Sequence, residues 1–108
     1  NFTSGDTYTA LTATAQVVKA SAGQIYGWYI YNPNSSAVYV MVYNIAAASV
    51  TVGTSTALLV FCIPATAAAN VMSTHGIAFS TAISVAAATT GGGNTAPSTA
   101  LECMLFYA

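Results

Sequence analysis

Besides its hydroxyls, this 108-residue chain has six side chains that could carry acid–base, thiol or metal chemistry: His75, Cys62, Cys103, Asp6, Glu102 and Lys19. A hydrolytic centre needs a nucleophile with a base, a pair of carboxylates, or metal ligands at suitable spacing. No local stretch supplies any of these. His75, in STHGI, occupies a turn-like position leading into a strand. Its expected partner there is backbone or water, and thiol chemistry with Cys62 or Cys103 is the functional alternative. The two cysteines are too few for a disulfide framework and lack metal-site spacing. Both fall in apolar, strand-like runs, ALLVFCI and ALECMLF. Each is expected as a free, small buried hydrophobe, with a single bridge as the alternative, because pairing depends on how close the β-carbons come. TTGGGNT, residues 89–95, lacks the lysine and helix of a phosphate loop and reads as slack between strands. The expectation is a protein that is not an enzyme, with no catalytic residue, no metal and no cofactor.

The shortage of ionic groups is itself informative. Lys19, Asp6 and Glu102 are the only fixed charges, 3% of a chain that is 56% hydrophobic, where about a quarter is usual. A monomer of this mass exposes about 5,600 Å², and hydroxyls and amides must solvate nearly all of it. Such a composition is far from that of a disordered segment. The most apolar window, ALLVFCIPATAAANVM, is interrupted by Pro64, Thr66 and Asn70 and falls short of a membrane span. Asn1 is followed by a mostly polar stretch, FTSGDT, and no basic and apolar segment of a signal peptide is expected there. A nucleic-acid partner is not expected either, because a backbone track needs Lys and Arg.

The elements that must position these residues are strands. Val, Ile, Thr and Tyr recur in short runs separated by Gly, Pro, Asn and Ser. The pattern predicts strands over 8–19, 24–31, 37–45, 49–52, 57–63, 76–79, 82–87 and 100–107. Turns are expected at SAG (21–23), NPNSS (32–36) and VGTST (52–56). The alanine-rich pieces IAAAS, PATAAAN and VAAATT lack a helical stripe and read as strand ends and loops, with one short helical turn near 65–70 as the exception. The fold class expected is all-β: a single domain over 1–108, a two-sheet antiparallel β-sandwich of jelly-roll type with about 7–8 strands. Residues 1–7 are a candidate extended N-terminal arm.

IYGWYIYNPNSSAVYVMVYN, residues 25–44, sets the main problem. By simple alternation its first strand carries Ile25, Gly27, Tyr29 and Tyr31 on one face and Gln24, Tyr26, Trp28 and Ile30 on the other. Its second carries Val38, Val40 and Val42 opposite Tyr39, Met41 and Tyr43. The valine set suits a sandwich core. The aromatic sides then need cover, either from the chain's own loops or from other subunits, and the charge shortage favours subunits. Tyr26, Trp28, Tyr29, Tyr31, Tyr39, Met41 and Tyr43 are accordingly the interface candidates, since a tyrosine ring suits a surface buried at one end and wet at the other.

GQIYGWYIYNPNSSAVYVMVYN, VTVGTSTALLVFCIPATAAANV and HGIAFSTAISVAAATT together resemble a small β-sandwich family of tailed bacteriophages, over residues 10–107. The resemblance rests on the aromatic strand, the YNPN corner, the VGTST turn, the IPA step and the FSTAISV strand. It implies a virion structural protein: a capsid decoration or cement protein bound as a homotrimer to the major capsid protein on the outer capsid surface, holding the shell against the pressure of packaged DNA. The alternative is a tail-tip or fibre domain that binds a host glycan, with Trp28 or a tyrosine stacked on a sugar and Asn32, Asn34 and Asn70 orienting it.

Overall fold

A computed structural model describes residues 6–91, 93 and 95–108, and within them all side chains except those of 6–10 and 69–75. Eight strands form: β1 (Asp6–Leu11), β2 (Gln16–Lys19), β3 (Gly23–Asn32), β4 (Val38–Tyr43), β5 (Leu59–Ile63), β6 (Ala67–Phe79), β7 (Ile83–Ala88) and β8 (Leu101–Tyr107). They make two four-stranded antiparallel sheets, sheet A in the order β1-β8-β3-β6 and sheet B in the order β2-β7-β4-β5. Nearly every connection crosses from one sheet to the other, and only β4 and β5 are consecutive neighbours in a sheet. That is a jelly roll, the architecture expected from the strand spacing.

Each sheet gives one face to a common core. From sheet B come Val18, Val38, Val40, Val42, Ile63, Ile83, Val85 and Ala87; from sheet A come Ile25, Ile30, Phe79, Leu101, Cys103 and Leu105. The valines of β4 thus point inward as alternation predicted, and β-branched side chains at every second position fill a pleated face well.

The second face of sheet B is covered by the chain itself. Residues 44–58, which include a 3-10 turn at Ala47–Ser49, cross it. Ile45, Val50, Val52 and Ala57 pack there on Met41, Tyr43, Ala86 and Ala88. The alanines of β7 explain the fit, because Met41 lies opposite Ala86 and Tyr39 opposite Ala88, so small neighbours leave room for large side chains and a loop above them. Ser84 Oγ donates to the Ile45 carbonyl at 2.9 Å and fixes the start of the cover. Residues 49–52 are therefore a lid over the sheet where a strand was expected.

Three further elements differ from expectation. The predicted strand over 8–19 is two strands in different sheets, parted by a turn at 12–15 whose TATA sequence carries no Gly or Pro to announce it. Asp6 and Thr7 pair with Phe106 and Leu105, so these two residues extend edge strand β1 where an arm was expected, and the rest of that candidate arm, residues 1–5, lies outside the described residues. Where a helical turn was a candidate at 65–70, residues 65–66 make a turn and 67–70 begin β6, and His75 is within that strand; its side chain lies outside the description.

Candidate docking surface

Alternation along β3 fails at one point. On β3 the register steps from Ile25 to Gly27, while on β6 it steps from Ile77 to Met72, so extra residues bulge out of the ladder. A bulge resets which side chains share a face. Ile25 and Ile30 consequently both enter the core, although alternation put them on opposite faces. Gly76 makes the irregularity feasible: its φ of +75° is left-handed, and a Cβ there would lie 2.9 Å from the Tyr26 ring.

The reset moves Trp28 inward. It packs against the core and stacks on Phe61 of β5 with ring centroids 4.7 Å apart and planes 10° from parallel. Its indole Nε1 is the one buried side-chain polar atom without a hydrogen-bond partner among the described residues. Met41 and Tyr43 lie under the covering loop, Tyr43 at 0% exposure. These three residues therefore leave the list of interface candidates: Trp28 because of the bulge, Met41 and Tyr43 because residues 44–58 already occupy their face. Tyr39 is half-buried beside Gly91, and Tyr26 donates its hydroxyl to Gln24 Oε1.

Less covered, among the described residues, is the outer face of the central strands of sheet A. Tyr29, 36% exposed, lies opposite Met104 of β8, and Tyr31 lies opposite Glu102. Tyr31, Met104 and Phe106 are half-buried and Glu102 is exposed. The result is a strip of aromatic and thioether side chains with one carboxylate at its margin. Met104 was missed from the sequence because ECMLFY reads equally well in either register. The pairing of Tyr29 with Met104 adds a soft, adaptable contact next to a ring.

One end of the sandwich is locked by asparagines. Asn32, at 0% exposure, donates from Nδ2 to the carbonyls of Ser36, Ile63 and Pro64 at 3.0–3.1 Å. Its Oδ1 accepts from the Asn34 backbone N–H at 2.9 Å and from Asn34 Nδ2 at 2.8 Å. Asn34 in turn donates to the Thr99 carbonyl and accepts from the Thr99 N–H. The Asn34 carbonyl also accepts from the N–H of Thr66, a β-branched residue held at φ +50°. The NPN corner thus ties the β3–β4, β5–β6 and β7–β8 connections together. These two asparagines spend their polar groups internally and cannot orient a sugar; the side chain of Asn70 lies outside the described residues.

Among the described residues the chemical groups do not converge; the side chains of Asp6 and His75 lie outside them. Cys62 and Cys103 are both free, and no group of three or more His, Cys, Asp or Glu residues is placed to hold a metal among the described residues. Cys103 is buried as expected, and burial pushes its thiol up to about 12. Cys62 departs from expectation: it is exposed, on the outer side of edge strand β5. Among those residues no helix is long and apolar enough to cross a membrane.

A maleimide reagent at neutral pH should therefore modify one thiol per folded chain, Cys62, and two after denaturation, counted by intact mass. The folded thiol of Cys103 titrates above its unfolded value of 9.0, so the protonated form stabilises the fold fully below pH 9. That contribution is lost as the pH rises through about 12. Cys103→Ala should flatten this alkaline loss, measured as the denaturant midpoint between those limits.

No protein-family model matches the chain, and no curated protein matches it. Among solved structures, it is similar to a chain from Bacillus endospore appendages, which form a novel family of disulfide-linked pili: 17% identity, a TM-score of 0.46, and coverage of 94% of this chain and 80% of that one. A likeness of that strength has no bearing on how the present chain assembles.

Proposed function

We propose that the chain is a structural subunit that works in many copies, and specifically a decoration protein that docks as a trimer on the outer shell of a phage capsid. The observation that carries this reading is the outer face of sheet A, where Tyr29 is exposed beside the half-buried Tyr31 and Met104 on a protein with three fixed charges. The accessible surface is 5175 Å², close to the scaling value for a monomer, so hardly any of it is ionic. A monomer surface of this kind associates readily. Apolar and tyrosine area removed from water contributes about 25 cal/mol per Å², and repetition over symmetric copies multiplies each weak contact. The sequence resemblance to phage sandwich proteins supplies the shell as the partner.

The test is co-sedimentation with DNA-free shells built from the capsid protein of the chain's own phage. The wild-type chain should pellet with the shells, and Tyr29→Ser should weaken binding at least tenfold, in the range of a tyrosine hot spot, without loss of fold by circular dichroism. A chain that stays in the supernatant but is retained on a glycan array would overturn the reading in favour of a host-binding domain.

A further inference from the structure

We infer that the β5 edge of sheet B is a strand-addition site whose occupant is β2 of a second copy of this chain. Edge strands present unpaired backbone N–H and C=O groups, and proteins that stay monomeric guard them with charge, proline or a covering loop. β5, LVFCI, has no charge and no proline, and β2, QVVK, has one lysine at its end. Among the described residues the exposed large hydrophobics are Val17, Tyr29, Leu58 and Val60, at 57%, 36%, 49% and 51%. Three of these four belong to the two edges of sheet B: Val17 on β2, Val60 on β5, and Leu58 just before it.

Geometry makes these edges complementary. Sheet B has four antiparallel strands, so β2 and β5 run in opposite directions. A second copy in the same orientation therefore lays its β2 antiparallel to β5 and continues the sheet. Val18 and Ile63 are core residues, which places Val17, Val60 and Cys62 together on the outer side of the sheet. In the joined sheet Val17 of one copy and Val60 of the next share a face, the arrangement that stabilises cross-strand pairs. β6, the edge strand of sheet A, lies alongside β5 and broadens the contact to the whole side of the sandwich.

The Cα envelope measures 35 × 27 × 17 Å, so a side wall along its long axis offers at most about 600 Å² per copy and about 1,200 Å² for the pair, the lower end of specific interfaces. β5 carries no charge for a charged peptide to read and β2 carries only Lys19 at its end, whereas another copy brings a strand with matching exposed valine. The contact is heterologous, closing as a ring where a rotation between copies permits and otherwise extending as a row. This inference rests on the reading that the chain works in many copies and names the surface that joins them.

Two variants of the full chain test it. Val60→Lys should weaken self-association at least tenfold in sedimentation while circular dichroism stays that of the wild type. Val17→Cys should cross-link through a short bismaleimide to Cys62 of a neighbouring copy, giving covalent oligomers that Thr54→Cys, a control on the covering loop, does not give. Equal association by wild type and Val60→Lys, or equal cross-linking of Val17→Cys and Thr54→Cys, overturns the inference while leaving the many-copy reading intact. Efficient cross-linking of the wild type through Cys62 alone sets β5 against β5 and also overturns it. A wild type that shows no association at any concentration removes the many-copy reading itself.

Discussion

Asn32→Leu should unfold the protein or leave it only marginally folded. The substitution keeps the size of the side chain and removes all of its hydrogen bonds: the carbonyls of Ser36, Ile63 and Pro64 lose a donor, and Asn34 loses its acceptor. A buried polar group left unpaired costs about 1–3 kcal/mol. Several are orphaned together here, and solvent reaches only some of them. A loss of roughly 3–5 kcal/mol is expected, against a total stability of about 5–15 kcal/mol for a domain of this size. Asn32→Asp should be no better, since it turns a donor aimed at three carbonyls into a negative charge. Denaturant unfolding followed by Trp28 fluorescence reads both, because the chain has a single tryptophan and that ring is stacked on Phe61. A midpoint within about 0.5 kcal/mol of wild type, the range of ordinary surface substitutions, would show that the corner is not the lock described.

Tyr43→Ala should be comparably costly, at about 3–5 kcal/mol, the usual range for removing a fully buried aromatic ring. Its signature is different. Tyr43 sits between sheet B and the loop over 44–58, so the variant should loosen that cover and show early hydrogen exchange in 44–58, with the core strands still protected. Tyr43→Phe loses only the hydroxyl contact with Met41 Sδ at 3.5 Å and should stay within about 1 kcal/mol of wild type. If the alanine variant keeps both wild-type stability and wild-type exchange, the loop contributes nothing to covering the sheet.

These two residues also mark how far the sequence could be read. The NPN corner was legible as a turn, because proline and asparagine have local reasons to be there. That Asn32 would bond to carbonyls 31 and 32 residues away was not, since side-chain partners at that distance have no local signal. Strands β3, β4, β5, β7 and β8, the jelly-roll class and the inward valines of β4 followed from turn residues and alternation, whereas the split of 8–19 and the first two thirds of β6 did not. The faces of β3 did not, because the bulge that resets them depends on extra residues in β6, on the other strand of the ladder. Trp28 was assigned to a docking face for this reason and belongs inside. The candidate surface was partly legible: Tyr29 and Tyr31 were named, while Met41 and Tyr43 were lost to a loop whose Val-Thr alternation reads as a strand.

The shortage of charge was plain from the start, and its meaning depends on where the uncovered apolar groups lie. They concentrate on the outer face of sheet A and on the edges of sheet B. One suits docking to a flat partner and the other suits sheet extension, so a single subunit can be held by neighbours and shell at once.

Native mass measurement on the wild-type chain, over rising concentration, tests this account most directly. Assemblies should replace the 10.9 kDa species, with the threefold mass as the expected closed form. A lone 10.9 kDa species up to the limit of solubility would contradict it.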